Sequence, residues 1–133
     1  MVLVWGDNSY DESTVLLGTT NISAIAVGEY HSVVVEDNGT LVQWGDFAPD
    51  DFQTPAAPTR VSSPPTNSNI VAVAAGIAHE IALKADGTVM QWGLTGAGGL
   101  KNFPTNLTGV KAISAGFERS LALLTNGSIV DWG

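Results

Sequence analysis

The chain has no cysteine, only five Lys and Arg, and no long apolar run. Without cysteine there is no disulfide framework and no thiolate zinc site. No stretch approaches the roughly 20 consecutive apolar residues of a membrane-spanning helix. Nor does the N-terminus show a basic start followed by an apolar run, so a soluble chain is expected, with any secretion signal absent or already removed. Charged residues are 14% of the 133, about half the usual share, and the net charge is −8. Binding to a phosphate backbone needs clustered Lys and Arg, so a nucleic-acid partner is not expected. The scarcity is lopsided. Residues 1–51 hold nine acidic side chains and no Lys or Arg, whereas residues 52–133 hold four acidic and five basic ones. A solvated acidic face explains this. So does head-to-tail association of the acidic half with the less acidic half of a neighbour.

What the chain has in quantity is glycine, and it is placed periodically. Three segments align without a gap, NISAIAVGEYHSVVVEDNGTLVQWG (21–45), NIVAVAAGIAHEIALKADGTVMQWG (69–93) and GVKAISAGFERSLALLTNGSIVDWG (109–133). Gly28, Gly76 and Gly116 share one column, and Trp44, Trp92 and Trp132 another. VLVWG at 2–6 repeats the end of the pattern, which places Trp5 in the same column. Repeats of this length are the mark of architectures in which one supersecondary unit cannot bury itself alone.

Each segment predicts three strands. The first (ISAIAV, IVAVAA, VKAISA) ends at a glycine that takes positive φ or admits another backbone. The second (SVVVE, EIALK, SLALL) runs into DNG, ADG or TNG, a strong hairpin signal. The third ends on Trp-Gly. The linkers at 46–68 and 94–108 each have room for one further short strand. The domain reading is an orphan repeat-end strand 1–6, blade repeat 1 over 7–45, repeat 2 over 46–93 with a Pro-rich insertion 46–68, and repeat 3 over 94–133. The fold class is all-β, as β-propeller blades. Residues 2–6 lack their hairpin partner, so this edge needs pairing from elsewhere.

The pattern A-x-G-x-x-H-S-x-A-L, D-G-T-V and x-W-G, with GDNSY at 6–10, resembles the regulator of chromosome condensation repeat family, particularly its bacterial forms. The chain departs from it where Arg119 replaces the His of His31 and His79, where Asp11-Glu12 stands for the usual Gly-Gln, and in the long 46–68 linker. The resemblance implies a closed propeller, commonly of seven blades. Three blades fall short of the four or so a ring needs, so self-assembly is expected, two copies giving six blades and three giving nine. Both chain ends carry the same phase of the repeat, so they would compete for one slot. The favoured reading is therefore a self-associating fragment of a larger bacterial repeat protein, extracellular or at the cell surface.

The resemblance also implies a structural role for His31 and His79, with the ring hydrogen-bonded within its blade. Trp5, Trp44, Trp92 and Trp132 are repeat-locked and read as core or inter-blade packing rather than sugar platforms. Asp7, Asp11 and Glu12 could offer hard oxygens to Ca²⁺, but Glu12 stands where an EF-hand loop needs glycine. No metal, cofactor or catalytic set is expected, and the chain reads as no enzyme. Asn-X-Ser/Thr triplets begin at Asn21, Asn38, Asn106 and Asn126, two of them inside the hairpin signals. The 46–68 insertion sets Phe47 and Phe52 beside Asp50 and Asp51, a plausible anchor for a protein partner. The pair after each repeat glycine varies (Glu29-Tyr30, Ile77-Ala78, Phe117-Glu118), as outward-facing loop residues do. In the similar β-lactamase inhibitory propellers, aromatic loop residues bind the target enzyme, which makes Tyr30 and Phe117 the counterparts here. Self-assembly and protein binding come first. An inhibitor-type binder and a carbohydrate-binding propeller are the alternatives.

Overall fold

The computed structural model describes residues 2–9, 11–15, 18–45, 69–77, 79–93 and 102–133. Among them there are nine strands and no helix: β1 (Ile22–Val27), β2 (His31–Glu36), β3 (Leu41–Gly45), β4 (Ile70–Ala75), β5 (His79–Lys84), β6 (Val89–Gly93), β7 (Val110–Ala115), β8 (Ser120–Leu124) and β9 (Ile129–Trp132). They form three antiparallel sheets of consecutive strands, hereafter blades 1, 2 and 3. The strands begin and end within a residue of where the repeat predicts them.

Each hairpin is a three-residue loop rather than a two-residue turn. Glu36 N–H donates to the Thr40 carbonyl at 2.9 Å, and Gly39 N–H donates to the Glu36 carbonyl at 2.8 Å. Only the glycines, Gly39, Gly87 and Gly127, have positive φ, so each loop is a turn closed by a left-handed glycine. The preceding Asn or Asp accepts the backbone N–H two residues on: Thr40 to Asn38, Thr88 to Asp86 and Ser128 to Asn126, all at 2.8–2.9 Å. The Thr88 hydroxyl and backbone N–H hold the exposed Asp86 carboxyl below the usual carboxylate range.

The first strand of every blade has a bulge at its second residue, shifting the register between Ile22 and Ala24, Ile70 and Ala72, and Val110 and Ala112. The residue before the strand is left-handed each time: Asn21, Asn69 and Gly109. Asn and Gly tolerate that conformation best. Its carbonyl accepts an N–H from the hairpin of the same blade, as from Asp37 to Asn21 at 2.6 Å.

The cores lie between blades. Val33 and Val35 of blade 1 pack with Ile70, Ala82, Met90 and Trp92 of blade 2. Ile81 and Leu83 of blade 2 pack with Val110, Ala122 and Trp132 of blade 3, and Phe103 closes the edge of Trp132 with ring centroids 5.8 Å apart. Alternation along each strand therefore points one set of side chains forward to the next blade and the other set back.

Two expectations fail at the N-terminus. Residues 2–6 form no strand, and Trp5 is 87% exposed instead of packed. The repeat column buries its tryptophan only when β1- and β2-type neighbours lie beside it, and 2–6 have none. Residues 102–109 also form no fourth strand, whereas 46–68 and 94–101 lie outside the described residues.

Candidate protein-interaction surface

Two polar contacts recur at each joint between blades. Trp92 Nε1–H donates to Gln43 Oε1 at 3.0 Å, and Trp132 Nε1–H donates to Gln91 Oε1 at 2.6 Å. The Gln of one blade thus receives the indole of the next. His31 Nε2 lies 3.1 Å from Glu80 Oε1, and His79 Nε2 shares a 2.9 Å hydrogen bond with Ser120 Oγ. The repeat histidines therefore reach across the joint to the next blade, a contact that the resemblance did not imply. Gln43 and Gln91 were missed as functional residues by sequence reasoning, although a polar side chain before each internal Trp was visible.

The repeat glycine works by close approach. Gly28 and Gly76 have ordinary φ, so positive φ is not their use. A Cβ on Gly28 would lie 2.5 Å from the Gly76 carbonyl oxygen and 2.7 Å from His31 Nε2. One on Gly76 would meet the Gly116 carbonyl and the His79 ring. Each glycine is pressed between its own histidine and the backbone of the next blade.

Glu80 sits in this joint fully buried beside His31. Burial pushes its carboxyl up, against the opposing hydrogen bond from His31. A folded-state pKa above the unfolded one means that folding binds protons, so stability falls as pH rises through that range. Glu80→Gln, which keeps an acceptor for His31, is expected to stabilise the chain by about 1 kcal/mol at pH 7–8 and to lose that advantage near pH 4. Urea denaturation at the two pH values checks this.

Blade 3 has no blade in front of it within this chain, and its forward face shows what the joints normally hide. Leu121 occupies the column of Val33 and Ile81, both fully buried, yet is 42% exposed. Ile129, in the column of the packed Leu41 and Val89, is 67% exposed. A Cβ on Gly116 would meet no atom within 4 Å among the described residues. Arg119 and Asp131 hold the His and Gln columns here and form an exposed ion pair with each other, Arg119 Nε–H reaching Asp131 Oδ1 at 3.3 Å.

The backward face of blade 1 is only partly covered. Trp44 Nε1–H donates to the Glu12 carbonyl at 2.8 Å, and Ser32 Oγ–H donates to the same oxygen at 3.0 Å. This backbone contact carried no sequence signal. Ile25 and Val27 stay exposed beside it. The Asp7 carboxylate accepts Ser9 Oγ–H and Asn8 N–H, both at 2.8 Å, and these bonds hold its carboxyl low.

The corners after β1, β4 and β7 share one end of the stack with the ends of β3, β6 and β9. A Cβ on Gly45 would press on the Tyr30 carbonyl and lie 2.7 Å from His31 Cα; one on Gly133 would press on the Glu118 carbonyl. Gly45, the last described residue before position 46, therefore lies at the rim that carries Tyr30. Phe117 is exposed there, and its carbonyl accepts Ile77 N–H at 3.0 Å. Tyr30 is half-buried, its hydroxyl donating to Glu29 at 2.9 Å. Phe47, Asp50, Asp51 and Phe52 lie outside the described residues.

No family model matches the chain, and no curated protein matches it by sequence. Solved structures do. Yeast RCC1 (Prp20), bound to Kap60, is similar over 97% of this chain and 38% of that one, at 22% identity and a TM-score of 0.66. The CRINKLY WD40 ectodomain of the Arabidopsis thaliana receptor kinase ACR4 covers 98% of this chain, against 43% of its own length, at 22% identity and TM-score 0.73. Human WBSCR16 covers 96% and 41% respectively, at 20% identity and TM-score 0.69. The chain has an RCC1-like β-propeller repeat fold, and it spans about two-fifths of the length of these structures.

Proposed function

We propose that this chain is a non-catalytic β-propeller repeat module, part of a bacterial repeat protein, that assembles with its own kind and binds protein. The observation that carries the reading is the forward face of blade 3, where the columns that build both internal joints stand open. Six blades from two copies fall within the four to eight typical of propellers, and nine from three copies do not; the expected state is a dimer. Yeast RCC1 bound to Kap60, and the same protein's binding to Gsp1p and histones, are instances of protein partners on this fold. The second reading, an inhibitor-type binder, draws on the exposed ring of Phe117 at the corner rim, with Tyr30 on the equivalent corner. Fold alone does not choose between them.

The double variant Leu121→Asp/Ile129→Asp tests the first reading. Both side chains are exposed, so the circular dichroism spectrum should not change. Two carboxylates in an apolar joint should weaken self-association at least about 100-fold, measured by sedimentation equilibrium. Association as tight as that of the parent chain would refute the reading.

A further inference from the structure

The two open flanks carry complementary halves of one joint, which deepens the assembly reading by naming its partner and register. At both internal joints, a forward-facing Gln accepts the next blade's indole N–H. Blade 3 offers Asp131 in that forward column, and blade 1 offers Trp44 in the backward one. The Glu12 carbonyl meanwhile accepts both Trp44 and Ser32, so one backbone oxygen stands in for two side chains that a preceding blade would supply. That substitute satisfies the polar groups and leaves Ile25 and Val27 bare, so it caps the flank without burying it.

We propose that blade 3 of a second copy docks on the back of blade 1 in the register of the internal joints. Asp131 takes the Trp44 indole N–H, and segment 11–15 gives way. A carboxylate has about four acceptor sites, so Asp131 can accept the indole without releasing Arg119. Charge favours the same pairing. Blade 1 belongs to the half of the chain with nine acidic residues and no Lys or Arg, while blade 3 is formally neutral, Lys111 and Arg119 balancing Glu118 and Asp131, so it meets blade 1 with less repulsion than a second acidic half would. The same second copy, joined the same way at the other flank, closes a ring of six blades.

The chain has no cysteine, so introduced thiols are the only ones present. At the internal joints Ala26 and Ala75 enter one core cluster, and Ala74 and Ala115 the other. The open equivalents are Ser114 and Val27, both exposed. Under mild oxidation a mixture of the full-length Ser114→Cys and Val27→Cys chains is expected to give a 114–27 disulfide dimer, while each variant alone stays unlinked. Links between two 114 thiols or two 27 thiols would overturn the proposal, as would no link at all. An oligomeric mass without the 114–27 link would overturn this register and leave self-assembly standing; a monomeric mass would overturn both. Asp131→Leu should weaken association at least about tenfold, the scale of one buried charge-assisted hydrogen bond. Asp131→Gln should stay within about threefold, because glutamine fills this column at both internal joints. Equal loss in the two variants would remove Asp131 from the joint.

Discussion

Gly76→Ala is expected to cost about 3 kcal/mol or more, whereas Gly116→Ala should cost the isolated chain almost nothing. The two glycines occupy the same repeat column. A methyl group on Gly76 would drive into the carbonyl oxygen of Gly116, which is backbone and cannot swing away, and would lie 2.6 Å from His79 Nδ1. Relief requires separating blades 2 and 3 or expelling the His79 ring from its bond with Ser120. Either move opens the cluster around Ile81, Leu83 and Trp132. A methyl on Gly116 meets no atom within 4 Å among the described residues. Its φ is ordinary too, so alanine brings no backbone strain there. The consequence appears on association: with another blade seated as at the internal joints, Gly116→Ala should weaken the contact as Gly76→Ala weakens the fold. Urea denaturation of dilute protein and sedimentation of concentrated protein separate the two effects.

Trp92→Ala should destabilise the chain by about 4 kcal/mol, and Trp5→Ala by less than about 0.5 kcal/mol. Trp92 is buried against Val33, Val35 and Ala82, and its indole N–H satisfies a Gln43 oxygen buried with it. Truncation leaves a cavity between two sheets and an amide oxygen deprived of its donor, and neither sheet can move in to fill the space without losing its own hairpin register. Trp5 shares the column but touches no blade core, so its removal takes away little beyond solvent contact. Equal midpoints for the two variants would mean that the joint between blades 1 and 2 is not where the stability resides.

That pair of tryptophans also marks how far repetition could be read. Strands, hairpins and repeat boundaries were legible because period-two apolar runs, Asn-Gly or Asp-Gly turns and Trp-Gly ends recur in three registers at once. The bulge at Ser23, Val71 and Lys111 was not, since it follows from a left-handed residue whose effect no local pattern announces. Column identity told which residues are alike, but not whether a neighbour lies beside them, and so Trp5 was assigned to packing that it does not make. The reach of the histidine column into the next blade was illegible for the same reason: a contact from His31 to Glu80 or from His79 to Ser120 depends on how blades stack. Glu12 was invisible altogether, because its contribution is a carbonyl that any residue possesses. For the interaction surface, the corner residues Tyr30 and Phe117 were named from their variability, whereas the forward flank emerged only once buried and exposed members of one column could be compared.

Light scattering of the purified chain across a wide concentration range addresses the open flanks directly. A mass twice the 13.8 kDa of one chain, rising to that plateau as concentration increases, is the expected result. A monomer that persists at the highest concentration would mean that Leu121, Ile129 and the Gly116 cradle are simply surface, and that three blades suffice by themselves.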